Sequence, residues 1–484
     1  MDETLPPLDL TPEDWAATPP RVQAAFRQLL VLLAELPALQ AHVAALEARL
    51  NQTSRNSSKP PSSDPPSAPP PPVKTLRGKP KPKGAQPGHP DQQRELLPDA
   101  AVDTVVPVHP THCPNCHDML PATLRPVCLP DRQQVWELPE IQPTVTEYQY
   151  LTVCCPGCGT LATGTRPADV PPGAFGPRVV ALIALLHGRY RISDRELVAL
   201  LQMVWQLPIS VGSVAHLQQV ASAALAPAHA EVQQVVEQVP HANVDETSWR
   251  EGARKPWLWV AVTAVATLFL LQYGRGKTQL RALLGATFAG LVTSDRLSAY
   301  NSLDPQRRQL CWAHLVRNLR GRAEAVGPWQ AEATALLWLA EEVLVIWAMF
   351  REGTLDRATM QGMIQAIQHA MWERVEPGQS LKNTLGSLCA DLVPRWDALW
   401  TFLHAEGVEP TNNAAERALR PAVLWRKGCY GTQSANGSRF VERMLTVSAT
   451  CQQHDRPLLP YLVDAIAAYW AGHPAPKLLP SGTP

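Results

Sequence analysis

A chain of 484 residues exceeds one ordinary domain, and its 45% apolar content suffices for packed cores. Lys and Arg total 43, as do Asp and Glu, so net charge points neither toward nor away from nucleic acid, and only its local distribution is informative. The acidic, proline-broken opening MDETLPPLDL is unlike a secretion signal, and the longest apolar run, residues 257–271, is shorter than a membrane span. No membrane partner is expected, and ten cysteines in such a chain point to metal binding in a reducing cytosol rather than to disulfides.

Residues 1–55 read as helical: Val22, Ala25, Leu29, Leu32, Leu36, Leu39, Val43, Leu46 and Leu50 recur at spacings of three and four. That is a coiled-coil seam that would make a homo-oligomer, although Pro37 interrupts it and an amphipathic helix packed on its own domain fits the same spacing. Residues 56–100 form a Pro-rich linker that cannot build a core. Its basic end places Arg77, Lys79, Lys81 and Lys83 together without an acid, suited to a phosphate backbone or simply to water.

Residues 101–170 carry CPNC at Cys113 and Cys116 and CPGC at Cys155 and Cys158. Two such turns present four thiolates, the ligand set of a closed structural Zn²⁺ site. Cys154 competes with Cys155, and His112, His117 and Cys128 are weaker candidates. The stretch WELPEIQPTVTEYQYLTV between them alternates like strands, so a zinc-ribbon-like module is expected. Residues 171–240 read as helices opened by a capping box, Ser193 with Glu196. Helix, short turn and helix here suit either DNA reading or plain helical packing.

Residues 241–470 read as strands first: VPHANVDET, then a hairpin WLWVAVT and LFLLQY, then AGLVTSD. A Trp-rich, all-helical stretch at about 325–405 interrupts this α/β core, and further helices follow before a tail at 471–484. The run LQYGRGKTQL looks like a phosphate loop but has Leu271 where the first Gly belongs. Three acids stand out: Asp245 and Asp295 close strand-like runs, and Glu416 lies on a helix with Arg417, Arg420, Arg426 and Lys427. Oxygen ligands of this kind hold Mg²⁺ or Mn²⁺ for phosphodiester chemistry, and the flanking cations suit DNA phosphates. Each acid also has a bland use: a surface acid beside Glu246, a turn or cap for Asp295, an ion pair with Arg417 or Arg420 for Glu416. His314, spaced CxxH with Cys311, is either a contact near the site or a packed histidine. Glu409 and Glu442 are expected to be neutral neighbours.

The blocks NSSKPPSSD, GAQPGH, the two CPxC pairs, VDET, SDRLSAY, CWAHLVRNLRG and TNNAAERALRP occur in an order that resembles transposases of the insertion sequence 66 family, over roughly residues 22–470. The resemblance implies a multidomain α+β protein whose ribonuclease-H-like α/β core carries a metal-binding DDE triad: Asp245, Asp295 and Glu416. It implies an enzyme that cleaves insertion-sequence ends and transfers the 3′-hydroxyls. Transposon-end DNA and target DNA would be its partners, with small accessory proteins of the same element, on the bacterial nucleoid. Two departures are Arg296, where a small or neutral residue is usual, and the extra Cys154. The alternatives are a non-cleaving zinc-dependent DNA-binding regulator and a structural oligomerisation protein; the intact acids weigh against both.

Overall fold

The computed structural model describes residues 11–25, 94–480 and 482, together with residues 29, 40, 43 and 47. Most of the heptad seam, and the linker with Lys79, Lys81 and Lys83, lie outside the described residues. Of the seam's members, Val22, Ala25, Leu29 and Val43 are described, and all four are exposed. The chain divides into two compact units, Met1–Pro70 with Tyr148–Gln202 and Pro208–Pro484, and Pro71–Glu147 with Met203–Leu207.

The smaller unit holds little regular structure. Its order comes from polar contacts: Gln134 brackets the Leu97 backbone (2.8 and 3.0 Å), Arg132 pairs with Asp99 (2.6 Å), and Arg94 stacks over Trp136 (4.9 Å). The strands expected across residues 136–153 do not form, apart from Thr152–Cys154 in the larger unit. Residues 136–151 are exposed on both faces and pair with no strand among the described residues, whereas the equally exposed Thr152–Cys154 pairs with Leu161–Thr163.

The larger unit is mixed α/β. After helix α1 (Pro12–Ala17) comes a two-stranded antiparallel ribbon, β1 (Thr152–Cys154) with β2 (Leu161–Thr163). Four helices follow: α2 (Pro177–Gly188), α3 (Asp194–Trp205), α4 (Val211–Ala224) and α5 (Ala226–Gln238). The expected capping box opens α3, with the Ser193 hydroxyl donating to Glu196 (3.0 Å) and accepting from its N–H (3.3 Å). Then come β3 (His241–Ser248), β4 (Trp257–Val262), β5 (Thr267–Gln272), α6 (Lys277–Leu284), β6 (Leu291–Ser294) and β7 (Arg308–Leu310). The five strands make one sheet in the order β5-β4-β3-β6-β7. The hairpin expected from the sequence is β4 and β5, antiparallel to each other, with β4 antiparallel to β3, whereas β6 and β7 run parallel to β3.

Five helices follow β7: α7 (Trp312–Glu324), α8 (Gln330–Arg351), α9 (Arg357–Gly378), α10 (Thr384–Leu392) and the short α11 (Thr401–His404). They share one apolar cluster, with Leu336, Val343, Ile364, Met371, Leu388, Trp312 and Trp400 buried in it. Helix α8 is long and apolar enough to cross a membrane by composition, but its Leu336, Ala340 and Val343 belong to that core and Glu341 on its outer side pairs with Arg320 (2.6 Å). The cluster docks on the β7 edge, where Thr401 donates to the Arg308 carbonyl (2.7 Å) and the Gln309 amide oxygen accepts from the Phe402 N–H (2.7 Å).

The chain closes with α12 (Asn413–Cys429), α13 (Ala435–Gln453) and α14 (Leu458–Ala471). Helix α13 covers the other sheet edge in an unusual manner. Glu442, Thr446 and Thr450 accept from the N–H groups of Leu271 (2.9 Å), Phe269 (2.9 Å) and Thr267 (3.2 Å). Four helical residues advance about 6 Å and two strand residues about 6.7 Å, so side chains at every fourth position keep step with alternate strand amides. This satisfies donors that an edge strand otherwise leaves open to pairing. Glu442, expected to be neutral, is therefore a buried structural acid (2% exposed), whereas Glu409 pairs with Arg351 (3.1 Å) at the surface.

Candidate active site

Strand β3 runs through the middle of the sheet, and its alternation splits VDET across two environments. Val244 and Glu246 are buried on one side; Asp245, on the other, is partly covered. Asp295 follows directly after β6, the parallel neighbour of β3. Glu416 sits in the first turn of α12. Asp295 and Glu416, far apart in the chain, both act electrostatically on Asp245. The Asp245 carboxyl is held well above its usual range, by burial first and then by the negative charges of Glu246, Asp295 and Glu416.

Neighbouring residues aim each acid. Asp295 accepts from the Leu297 N–H (2.9 Å), the turn use open to it from the sequence, and this bond fixes its side chain. Arg308, 2% exposed, donates to the Asp295 carbonyl (2.8 Å), and burial lowers its guanidinium to about 10. Glu246 is not a surface acid: it accepts from the Tyr300 hydroxyl (2.6 Å) and from Arg275 Nε (2.8 Å). Burial raises its pKa while these two donors oppose the shift. Arg275, from the loop dismissed as a phosphate loop, also lies over the Trp257 ring (4.5 Å). Arg296, the departure from the family pattern, bonds Asn318 (2.6 Å) and pairs with Asp391 (3.3 Å) on the inserted helices.

Helix α12 is fastened at both ends. Asn412 is fully buried; its amide donates to the Val244 carbonyl (2.8 Å), its oxygen accepts from Asn243 (3.1 Å), and its N–H donates to the Cys311 sulfur (3.2 Å). It thereby ties the start of the Glu416 helix to the strand of Asp245. Sequence reasoning missed Asn412, Asn243, Arg275 and Tyr300; the signal for Asn412 was the NN pair in TNNAAER. At the far end Tyr430 and Gly431 turn left-handed (φ 58° and 93°), and a Cβ on Gly431 would collide with the Arg250 carbonyl. Arg426 donates to the Thr247 hydroxyl (3.2 Å) and to Ser248 on β3, so part of its capacity is used within the protein.

His314 Nδ1 lies 3.5 Å from Glu416 Oε1, and neither atom has a hydrogen-bond partner among the described residues. Burial lowers the His314 pKa, favouring the neutral ring, while Glu416 opposes the shift. Cys311, His314 and Glu416 each offer a ligand atom within 4.8 Å of the others. Burial raises the Cys311 thiol to about 11. No Lys or Arg ion pair neutralises Asp245 or Glu416 among the described residues. Two buried ligand atoms without partners, His314 Nδ1 and Glu416 Oε1, with Cys311 beside them, fit a divalent cation.

Residues 172–439, which span Asp245, Asp295 and Glu416, match the model of the Transposase IS66 family. The chain belongs to the IS66 transposase family. Residues 12–95 match a second model, a family of unknown function (DUF6444). Two relatives from Sinorhizobium fredii are similar to this member of the IS66 family. Uncharacterized protein y4qI is 26% identical over 248 residues, 46% of this chain and 46% of that protein. Uncharacterized protein y4hP is 38% identical over 87 residues, 18% of this chain and 16% of that protein. The chain thus matches less than half the length of either relative.

The two cysteine turns of this IS66 family member repeat one backbone pattern. In the first, Cys113 N–H bonds the Asp118 carbonyl and His117 N–H bonds the Cys113 carbonyl (both 2.9 Å). In the second, Cys155 N–H bonds Thr160 and Gly159 N–H bonds Cys155 (both 2.9 Å). The fifth residue of each turn is left-handed, His117 at φ 61° and Gly159 at φ 73°. Hydrogen bonds within each turn lower the thiols of Cys113 and Cys158, toward the thiolate form that binds metal. Cys154, which competed with Cys155, donates to the Gly159 carbonyl (3.4 Å).

Proposed function

We propose that this chain is a DNA transposase of the DDE type that cleaves the ends of an insertion sequence and joins the freed 3′-hydroxyls to target DNA. The observation that carries the proposal is the delivery of Asp245, Asp295 and Glu416 from β3, the end of β6 and α12, elements joined by the β3–β6 pairing and the bond from Asn412 to β3, with burial and then the charges of Glu246, Asp295 and Glu416 holding the Asp245 carboxyl above its usual range. A ribonuclease-H-like reading of the core draws support from the sheet, three antiparallel strands continued by two parallel ones with an acid on the central strand.

Asp245, Asp295 and Glu416 would hold Mg²⁺ or Mn²⁺, with His314 and Cys311 beside Glu416. Such a cation, when bound, lowers the pKa of water and offsets charge on the phosphate. The chain's residues orient the reaction: Asn412 sets Glu416 against β3, Arg308 and the turn at Leu297 set Asp295, and a neutral His314 leaves the Glu416 charge to its cation. Water attacks the phosphate at the element end, the P–O3′ bond breaks, and a 3′-hydroxyl is released. That hydroxyl then attacks a target phosphate, the new P–O bond forming as the target P–O3′ bond breaks and releases a target 3′-hydroxyl, so no protein nucleophile is required. Arg417 and Arg420, both exposed on α12, and Lys427 would hold DNA phosphates, as would Lys79, Lys81 and Lys83 of the linker.

We further propose that Cys113, Cys116, Cys155 and Cys158 bind one structural zinc, that the chain self-associates through residues 22–50, and that it acts in the bacterial cytoplasm beside small accessory proteins. The test of the central proposal is Asp245→Asn, Asp295→Asn and Glu416→Gln. Each keeps side-chain shape but loses the charge, so cleavage in Mg²⁺ should fall by at least about 10³-fold while binding to element ends stays within a few-fold. A Glu416→Gln protein that joins DNA at near the original rate overturns the site.

A further inference from the structure

Beside the Glu416 helix lies an open cleft of about 370 Å³ whose walls are the end of α2 and one face of α12. Arg189, Tyr190 and Arg191 come from the first, and Arg417, Arg420 and Leu424 from the second. Spacings of three and four put the α12 residues on one helical face, and that stripe begins one residue beyond Glu416. Among the described residues no carboxylate forms an ion pair with any of the four arginines. Tyr190 is 61% exposed and Leu424 47% exposed, so flat apolar surface lies open amid the cations.

The cleft is built rather than incidental. Arg191 is left-handed (φ 64°), a conformation uncommon for a side chain of this kind, and it turns the RYR segment outward after α2. Its N–H bonds the His187 carbonyl (3.0 Å), and the His187 ring meets Trp425 of α12 edge-on (5.4 Å). Gly188 abuts Met444 so closely that a Cβ would collide with it, which fixes the end of α2 on α13. The two walls are thus locked to each other before any ligand arrives.

We propose that this cleft clamps an unpaired DNA strand next to the carboxylate site: Tyr190 stacks on a base, and Arg189, Arg191, Arg417 and Arg420 hold its phosphates. Aromatic faces set among cations suit single strands, because every base has a π-face and duplex stacking hides it. The volume, at the low end of small-molecule sites, suits one nucleotide rather than a duplex. The proposal rests on the transposase reading only for why a strand should lie here.

The test uses the full chain and a labelled single strand of about ten nucleotides carrying 2-aminopurine, beside a duplex of the same sequence. Tyr190→Ala should weaken single-strand binding about 5- to 100-fold and abolish the 2-aminopurine quenching, while Tyr190→Phe keeps both. Arg417→Ala with Arg420→Ala should reduce the salt slope of binding by about 0.7 per arginine. An exposed tyrosine can be changed without unfolding, which an unaltered melting curve verifies. A loss under twofold for Tyr190→Ala, an equal loss for Tyr190→Phe, or equal weakening of duplex and single strand overturns the clamp. Glu416→Gln separates the two readings: if it still cleaves while Tyr190→Ala loses the strand, the catalytic assignment fails and the clamp stands. If Tyr190→Ala binds normally while Glu416→Gln is inert, the reverse holds.

Discussion

The three carboxylates and the two cysteine turns are built on opposite plans. Asp245, Asp295 and Glu416 each need a different element, and their placement depends on buried partners such as Asn412 and Arg308. Each cysteine turn is self-contained, closed by two backbone hydrogen bonds and a left-handed fifth residue. A site assembled from distant elements is only as firm as the core beneath it, whereas a local turn keeps its shape with little core. The first should therefore respond to packing changes and the second should not.

The largest effect expected from breaking this contrast is at Asn412. Replacing it with Leu leaves the Val244 carbonyl and the Asn243 amide without partners in a buried place, which costs about 2–4 kcal/mol. Urea denaturation of the variant should show that loss, with cleavage falling alongside it. A stable variant with full cleavage would mean that Glu416 is positioned by something else.

Thr446→Val is next. It removes the acceptor of the Phe269 N–H at nearly constant volume and should cost about 1–3 kcal/mol. An unchanged denaturation midpoint would show that water reaches that sheet edge.

A smaller effect is expected from the cation. Asp245 has a folded-state pKa raised above its unfolded value, so its contribution to stability is present at low pH and lost as pH rises through the raised value; Glu246 is shifted the same way. In chelator, Asp245→Asn should therefore melt higher than the unaltered chain at neutral pH, and the gap should close in acid. Adding Mg²⁺ at ten times its Kd should stabilise only the unaltered chain, by about 1.4 kcal/mol. Equal Mg²⁺ shifts in both proteins would remove Asp245 from the cation site.

The smallest effect on the sheet should come from Cys113→Ser with Cys116→Ser. Metal analysis should show the loss of about one zinc per chain, while the melting of the sheet and its helices moves by less than about 0.5 kcal/mol. Zinc retained in full would rule out the CPNC turn as a ligand pair. A collapse of the main transition would show that the turns are not independent of the core.

Local chemistry was legible in the residues themselves. The hairpin of β4 and β5, the capping box at Ser193 and the all-helical stretch follow from periodicity and turn chemistry, which the chain states within a few residues. So do the CPxC turns; Asp295 stands at a strand end and Glu416 on a basic helix as read, whereas Asp245, read as closing a strand, lies inside β3 with three strand residues after it. The alternation over residues 136–153 carried the same period-two signal as β3, yet among the described residues 136–151 lie exposed without a strand partner, whereas the equally exposed β1 has β2 to pair with. Only the tertiary structure decided the burial of Glu246, the ladder from Glu442 to Thr450 and the bond from Asn412 to the Asp245 strand. Each of these is a pairing between positions far apart in the chain. Period and propensity describe what one segment prefers, whereas which buried donor meets which acceptor is settled only when the segments pack.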